Sequence, residues 1–410
     1  MNISRRLARI LSVVGPGLFL VGYNIGTGSV TTMAKAGADF GMSLFWTLIL
    51  SCVFTYVLMV AYGRVTLVTG RTALRNIRQE FDYGKWLALY ILVALIIGEL
   101  LALMGIMGIV SDLLQEGFRL LTGGYRVSKS LITAILVAAM FLLLYVGRYH
   151  LFEKIMAGFV IMMGLSFVLV FFLIGPDVNS LITGLIPKIP DKPGAFSIVA
   201  AMAGTTCSAA VFVIRSIVVS EKGWSTGDLK QEKRDSFISA TTMLFLSGII
   251  MAVSAGTLHL MGLSLTDTIE MIHLFEPLGG TPAALILILG ITGAGLSSVF
   301  PIILIAPWLI SDYNGTPRNI RSPLFRILGA GGLLFSFGLL FIEQRPPAMM
   351  IFSQAFQACI LPAVTIPVLL MINRKPLMQD HIAGAGMNAG LYAALLFGLV
   401  TTYFAISDLV

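Results

Sequence analysis

Two clusters of small polar residues interrupt apolar stretches of this chain, and they are the residues best suited to bind a small solute. The first cluster consists of Asn24, Gly26, Thr27, Gly28 and Ser29. The second cluster consists of Thr205, Thr206, Cys207 and Ser208. Hydroxyl, amide and carbonyl groups of this kind can bind an ion or a polar molecule. No nucleotide fingerprint, P-loop or catalytic triad pattern accompanies them, so the sequence does not indicate an enzyme or a primary pump.

Each cluster lies inside a stretch that is otherwise apolar enough to cross a membrane. The segment 15–37 contains the first cluster, and the second falls in 200–210, about half a chain later. Unwound backbone at membrane depth is tolerated only where it is buried in protein or lines a cavity. Interrupted helices at corresponding positions of two halves point to the substrate site of a transporter. We therefore expect two broken helices that face one binding site.

The composition supports a membrane protein. Of the 410 residues, 57% are hydrophobic and 11% are charged, whereas about a quarter of a typical soluble protein is charged. The net charge of +7 comes from lysine and arginine residues in short loops, which favours a role in topology over nucleic-acid binding. The three cysteines, Cys52, Cys207 and Cys359, all fall in apolar stretches, so no disulfide framework is expected.

The apolar runs define the topology. Runs of about 20 residues, the length that crosses a bilayer, predict eleven spans at 10–36, 42–63, 86–112, 129–147, 155–175, 196–220, 236–262, 281–311, 324–342, 348–372 and 386–406. With the N-terminus inside, 19 of the 27 lysine and arginine residues lie in inner segments and 7 in outer ones. The positive-inside rule then predicts a cytoplasmic N-terminus and an external C-terminus.

The span count also predicts the domain organisation. Spans one to five and six to ten form two sets, and an odd number of spans in a set inverts the second set relative to the first. We expect a first repeat at 1–175, an external linker at 176–195, a second repeat at 196–372 and an extra eleventh span within 373–410. The fold class is thus an all-α polytopic membrane protein with a five-plus-five inverted repeat.

Few ionisable residues fall at membrane depth, where such groups are functional hypotheses by default. Glu99 lies in the third span and Arg215 in the sixth. They either act in coupling or neutralise each other between packed helices, and we expect them to form an ion pair. Gln354 in the tenth span is either a substrate contact or an interhelical hydrogen-bonding group.

The two clusters lack a carboxylate, and this limits which ions they can bind. Calcium and magnesium sites use oxygen donors that normally include a carboxylate, while transition-metal sites use His, Cys, Met or carboxylate. The one soft candidate is Cys207, which serves either as a metal ligand or as a small packing residue. Tight binding of a dehydrated Mn²⁺ or Fe²⁺ is therefore not expected.

Several segments resemble the Nramp family of proton-coupled divalent-metal transporters. They are GPG at 15–17, KAGADFGMSLFW at 35–46, FEKIMAGFVIMMGLSF at 152–167, GLIPKIP at 184–190, GLSSV at 295–299 and SQAFQACILPAVTIPVLL at 353–370. The resemblance covers nearly the whole chain, and the last segment is the most specific. It implies a LeuT-type fold, with broken first and sixth helices, and a divalent-metal cargo.

The binding motifs depart from those of the family. Residues 26–29 stand where the family has Asp-Pro-Gly-Asn, and residues 208–211 stand where it has Met-Pro-His-Asn. Glu99 matches the first member of the family's acidic pair and Ala102 replaces the second. Arg215 occupies the place of the proton-pathway histidine, whereas Gln354 matches the family's tenth-span glutamine.

Together these features predict a secondary-active transporter in a membrane, without a cofactor or a nucleic-acid partner. Its expected substrate is a divalent cation, with a hydrated Mg²⁺-like ion favoured over Mn²⁺ or Fe²⁺ and with altered or absent proton coupling. The alternatives are a carrier of a small polar or anionic organic solute and a receptor-like homologue that does not transport. The expected location is a prokaryotic plasma membrane, with lipid and the substrate as partners.

Overall fold

The chain folds almost entirely into α-helices. The computed structural model describes residues 26–146, 150–175, 177–319, 321–342 and 344–408. The helices that correspond to the predicted spans are α1 Thr27–Phe40, α2 Phe45–Thr69, α3 Gly84–Thr122, α4 Lys129–Val146, α5 His150–Ile174, α6a Ala195–Thr206, α6b Ala209–Glu221, α7 Leu229–Gly256, α8 Gly280–Asn314, α9 Pro323–Leu334, α10 Pro346–Ile372 and α11 Ala385–Ser407. Short helices at Ala73–Glu80, Val178–Thr183 and Lys375–Met378 connect them.

Nine helices within the described residues are long and apolar enough to cross a membrane, if α6a and α6b count as one and α9 includes the 3₁₀ turn that follows it. Two further predicted spans correspond to α1, which is described from Thr27 onward, and to α5, whose apolar segment Gly158–Ile174 is shorter. Each predicted span therefore has a helix at its place in the chain. The repeat boundaries and the orientation in the membrane stay predictions.

The sixth span is broken where the sequence predicted it. α6a ends at Thr206 and α6b begins at Ala209, so Cys207 and Ser208 form the break. Ser208 has an extended backbone (φ −67°, ψ 128°), which a continuous helix cannot contain. In the first span, α1 starts at Thr27, directly after Gly26, whose backbone is extended (φ −89°, ψ −171°). The part of the first span before Gly26, including Asn24, lies outside the described residues.

The broken helices lie inside the bundle, and longer helices surround them. α6a packs on α10 and α11, α1 packs on α7, and α3 packs on both α8 and α10. The window covering α6a and α6b is 94% buried, whereas that of α4 is 22% buried and exposes apolar side chains. In a membrane protein such an apolar outer face contacts lipid. Glu99, Ser208 and Gln354 are among the polar residues buried inside the bundle.

The segment between the two predicted repeats packs on the start of α2. The Trp46 backbone N–H donates to the Gly184 carbonyl (2.8 Å), and the Trp46 indole N–H donates to the Lys188 carbonyl (3.2 Å). Asp177 caps the short helix Val178–Thr183. The Ser180 hydroxyl donates to the Asp177 carboxylate, and so do backbone N–H groups of the helix. These hydrogen bonds, with that from the hydroxyl contributing most, lower the pKa of Asp177 from its ordinary value.

Candidate functional site

A small cavity of about 40 Å³ lies between the start of α1 and the break of the sixth span. Five of the span helices contribute to its wall, which is formed by Gly26, Gly28, Ser29, Glu99, Ala102, Ile106, Thr205, Ser208, Ser298, Ile302, Gln354 and Gln357. The cavity thus lies where the broken helices meet α3, α8 and α10. Its lining side chains include hydroxyl, amide and carboxylate groups, and it is therefore polar although it is deep in the bundle.

Two glutamines from α10 face this cavity. Gln354 and Gln357 are three residues apart, so their side chains lie on the same face of the helix. The Gln354 amide nitrogen lies 3.5 Å from the Met350 sulfur and 3.5 Å from the Ser353 hydroxyl, which directs this nitrogen toward its own helix. The Gln354 amide oxygen is then the atom that can accept a bond from, or coordinate, a molecule in the cavity.

A hydrogen-bonded chain joins the sixth-span break to α3. The Ser208 hydroxyl donates to the Gln357 amide oxygen (2.5 Å), and the Gln357 amide nitrogen donates to the Glu99 carboxylate (3.0 Å). Glu99 is 3% exposed. A buried carboxylate is stable only with such donors or with an opposite charge. The two clusters themselves contain no carboxylate, as the sequence shows, but α3 brings one to the cavity.

Glycines allow α10 to approach the other helices closely at its glutamines. A Cβ atom on Gly204 would lie 1.8 Å from the Gln354 carbonyl oxygen, and one on Gly28 would lie 2.9 Å from the Gln354 amide nitrogen. On α3, a Cβ atom on Gly98 would lie 3.2 Å from the Gln357 side chain. Larger residues at these positions would push α10 away. The small residues thus set the dimensions of the cavity.

Most of the residues predicted to bind substrate line the cavity, but some do not. Those that line it are Gly26, Gly28, Ser29, Thr205, Ser208 and Gln354. The Thr27 hydroxyl instead points to the Ile291 carbonyl on α8 (3.4 Å). Thr206 and Cys207 are buried outside the lining, with the Thr206 carbonyl accepting from Thr55 (2.9 Å). Of the alternatives for Cys207, this placement agrees with a packing residue.

Arg215 lies away from the cavity, and the expected Arg215–Glu99 pair is wrong. Within the described residues, the ion pairs of Arg215 are with Glu232 (2.9 Å) and Asp235 (2.5 Å). Ser236 adds a hydrogen bond of 3.1 Å to the same guanidinium. The sequence expectation failed because α7 begins seven residues before the predicted span, and its first two turns carry both acids into the bundle. Arg215 is therefore held by the next helix.

Sequence analysis missed two of the polar residues in the wall, Ser298 and Gln357. Gln357 could have been found, since it follows Gln354 by three residues in a helix that has no charged side chain. Ser298 falls within the GLSSV segment, but only the packing of α8 places it at the cavity. Ala102 also lines the wall, at the position where the resemblance places a second acid.

The comparisons with known proteins agree with this architecture. The family model described as "Natural resistance-associated macrophage protein-like" (Nramp) matches residues 17–407. The chain belongs to this family. The "Divalent metal cation transporter MntH" of Yersinia enterocolitica is 24% identical over 388 residues, which cover 92% of this chain and 90% of that protein. The protein of the same name from Erwinia tasmaniensis is 24% identical over 378 residues, covering 90% and 88%.

Solved structures show the same fold. The manganese transporter of Eremococcus coleocola superposes with a TM-score of 0.75 at 15% identity, covering 100% of this chain and 89% of that one. Mhp1, a nucleobase-cation-symport-1 transporter, superposes with a TM-score of 0.60 at 16% identity, covering 96% of this chain and 93% of that one. MhsT in complex with L-phenylalanine superposes with a TM-score of 0.59 at 14% identity, covering 96% of this chain and 98% of that one. The predicted LeuT-type fold is confirmed. The Nramp relatives are membrane transporters, so the expectation of a transporter and not an enzyme is confirmed as well.

Proposed function

We propose that this Nramp-family chain carries a divalent cation across the membrane, and that the cavity between the two helix breaks is its binding site. The observation that carries this proposal is the position of Glu99, whose carboxylate lies in the same wall as Ser208, Gln354 and Gln357. A cation at membrane depth needs a fixed negative charge to offset its lost hydration. The relatives named as divalent metal cation transporters support the choice of cargo.

The donor set favours a hard cation. Carboxylate, hydroxyl and amide oxygens suit Mg²⁺ and also Mn²⁺, whereas imidazole and sulfur donors suit Fe²⁺ and softer transition metals. Cys207, the one thiol of the two clusters, does not line the cavity. Among the described residues, no group of three or more His, Cys, Asp or Glu side chains could hold a metal ion. We propose that this donor set favours Mg²⁺ over Fe²⁺, and that Mg²⁺ is preferred over Mn²⁺ because Mg²⁺ binds with several of its waters in place and needs fewer protein ligands.

The size of the cavity indicates how much water accompanies the ion. Since a water molecule needs roughly 10–15 Å³ of such space, about 40 Å³ holds about three waters. A six-water complex exceeds this volume, so protein oxygens replace part of the hydration shell. Mg²⁺ usually keeps several waters in proteins. A partly hydrated ion is thus the species that fits this conformation.

The same volume argues against the alternative cargo. Pockets for organic ligands usually measure about 300–1,000 Å³, far more than the cavity provides. A receptor-like homologue without transport would have been favoured by a continuous sixth helix, but Cys207 and Ser208 interrupt it. No observation in the described part of the chain favours either alternative over cation transport.

Proton coupling is altered or absent in this proposal. Arginine stays protonated at physiological pH and cannot load and release a proton as histidine does. Arg215 is moreover fixed between Glu232 and Asp235 with no exposed surface. The proposed setting is a prokaryotic plasma membrane with the N-terminus in the cytoplasm, as the distribution of lysine and arginine indicates.

Uptake into proteoliposomes tests the function. Vesicles that contain the purified protein and an entrapped Mg²⁺-sensitive dye should accumulate Mg²⁺, and external Mn²⁺ should compete only weakly. Glu99→Gln keeps the shape but removes the charge, so it should raise the KM for Mg²⁺ about tenfold or more, which corresponds to about 1.4 kcal/mol. Glu116→Gln is the matched control, because Glu116 lies on the same helix and pairs with Arg119.

Two results would contradict the proposal. If the vesicles take up neither Mg²⁺ nor Mn²⁺ while the protein is folded, the chain is not a carrier of these ions. If uptake proceeds with equal KM in wild type and Glu99→Gln, the binding site lies elsewhere.

A further inference from the structure

Gln357 bonds to two groups that belong to different parts of the bundle. Its amide oxygen accepts from Ser208 in the helix break, and its amide nitrogen donates to Glu99 on α3. An ionised carboxylate can only accept hydrogen bonds, so the amide must present its nitrogen to Glu99. The oxygen end is then fixed toward the hydroxyl of Ser208. The amide oxygen and the amide nitrogen of Gln357 are thus both hydrogen-bonded in a single orientation of the side chain.

The backbone around Gln357 keeps this side chain in place. Gln357 is 4% exposed, and Gly98 leaves room for it against α3, since a Cβ atom there would lie 3.2 Å from its Cγ atom. Gly98 directly precedes Glu99 in α3. The close approach of the two helices therefore occurs at the residue pair that shares the hydrogen bond. Gln357, held in this way, can restrict the side-chain rotamer of Glu99.

We infer that Gln357 is a positioning residue for the cation, which acts by holding the Glu99 carboxylate toward the cavity. This inference rests on the proposed function. The Ser208 bond fixes Gln357 to the sixth-span break, so the direction of the Glu99 charge depends on the position of α6b. When the break changes shape, Ser208 withdraws and the Glu99 carboxylate loses its support. Cation affinity is thereby linked to the conformation of the broken helix.

Among the described residues of the cavity wall, Glu99 is the one ionisable side chain. Several charged side chains of the surrounding helices pair with one another: Lys35 with Asp39 on α1, Arg215 with Glu232 and Asp235, and Asp312 on α8 with Arg318. α10 contributes no charged residue. The position of the Glu99 carboxylate therefore affects the local charge of the site, and Gln357 is a side chain that bonds directly to this carboxylate.

A double-mutant cycle tests the inference. Gln357→Met has nearly the same length but lacks both hydrogen bonds, and it should raise the KM for Mg²⁺ uptake about tenfold with Vmax within about twofold of wild type. In a Glu99→Gln background, the same change should alter the KM less than about twofold. Such non-additivity is the mark of residues that act as a unit. Ser208→Ala, which removes only one of the bonds, should raise the KM about threefold.

Thr365→Val is the matched control. Thr365 is buried on the same helix, but within the described part of the chain its hydroxyl bonds only to the Leu361 carbonyl of that helix (2.8 Å). It should leave the KM unchanged. If Gln357→Met does not fold, the cycle is run with Ser208→Ala in place of Gln357→Met, with the same expectation of non-additivity.

Additive effects of Gln357→Met and Glu99→Gln would overturn the inference, because Gln357 would then act on the ion directly and not through Glu99. An unchanged KM in Gln357→Met would overturn it as well. Failure of the proposed function is a separate result, since in that case the wild-type vesicles take up neither ion. Normal uptake that depends on Glu99 but not on Gln357 contradicts only the present inference.

Discussion

Arg215 on α6b lies 2.9 Å from the Glu232 carboxylate on α7, and both side chains are fully buried. Gly63 on α2 makes room for this pair, since a Cβ atom there would lie 2.2 Å from the Glu232 Oε1 atom. Ser236 donates to the same carboxylate oxygen (2.9 Å). The contacts at this pair involve α2, α6b and α7. They fix α6b, the second half of the broken helix, to its neighbours.

Removing one partner of this pair should destabilise the protein. Arg215→Gln leaves Glu232 and Asp235 buried without their cation, and breaking a buried ion pair in this way costs about 3–5 kcal/mol. The midpoint of thermal unfolding in detergent should fall clearly. Arg374→Gln is the control, because its pair with Glu80 is half-exposed and is worth about 1 kcal/mol or less. Equal midpoints for the two variants would show that the Arg215 pair does not support the fold.

Arg215→His should not create proton uptake. The imidazole would face Glu232 and Asp235 and not the cavity, so no hydrogen-bonded route from this position to the cation site follows from the contacts of Arg215. A pH-sensitive dye inside loaded vesicles measures this, with the protonophore-treated vesicles as the control. The interpretation fails if the wild-type protein acidifies the vesicle lumen in step with the substrate and Glu99→Gln abolishes that acidification.

Gly26→Asp should increase the affinity for Mn²⁺. Gly26 lines the cavity in an extended conformation that an aspartate can adopt, and it is the N-cap of α1, where Asp is favoured. A second carboxylate near Glu99 would supply the charge that a more dehydrated ion needs. Isothermal titration calorimetry should show binding about tenfold tighter than in wild type.

The matched control for that experiment is Gly26→Asn, which adds the same bulk without a charge. Micromolar Mn²⁺ binding by the unmodified chain would contradict the expected preference for a harder ion. Ser208 is best left unchanged in this experiment, because its hydroxyl donates to Gln357.

Gly204→Ala should loosen the contact between α6a and α10. The added methyl group would meet the Gln354 carbonyl oxygen at 1.8 Å, and overpacking of this kind costs about 1–3 kcal/mol. Both the unfolding midpoint and the affinity for Mg²⁺ should fall, since Gln354 lines the cavity. Gly331→Ala on α9 is the control. A Cβ atom on Gly331 would have no described neighbour within 4 Å, so this substitution should be neutral or slightly stabilising for the fold. A Gly204 variant with wild-type affinity would show that α10 can move without disturbing the site.

The sequence by itself determined the class and the architecture of this protein. Apolar runs of bilayer length require helices, and glycine with small polar residues at 26–29 and 205–208 marked where the regular hydrogen bonding stops. These are local properties, readable from one segment at a time. Gln354 was identified for the same reason, as a polar residue in an otherwise apolar helix. The Nramp resemblance, carried by short segments, was enough to predict the fold.

Only the tertiary structure decided which polar groups meet. Glu99 and Gln357 are 258 positions apart in the chain, and their hydrogen bond depends on how closely α3 and α10 pack at Gly98. Arg215 pairs with Glu232 and not with Glu99, because helix rotation and the early start of α7 select the partner. A sequence gives the charge of each residue, but the pairing of buried charges depends on the direction in which each helix face points. That direction is set by side-chain packing across the whole bundle, which no single segment contains.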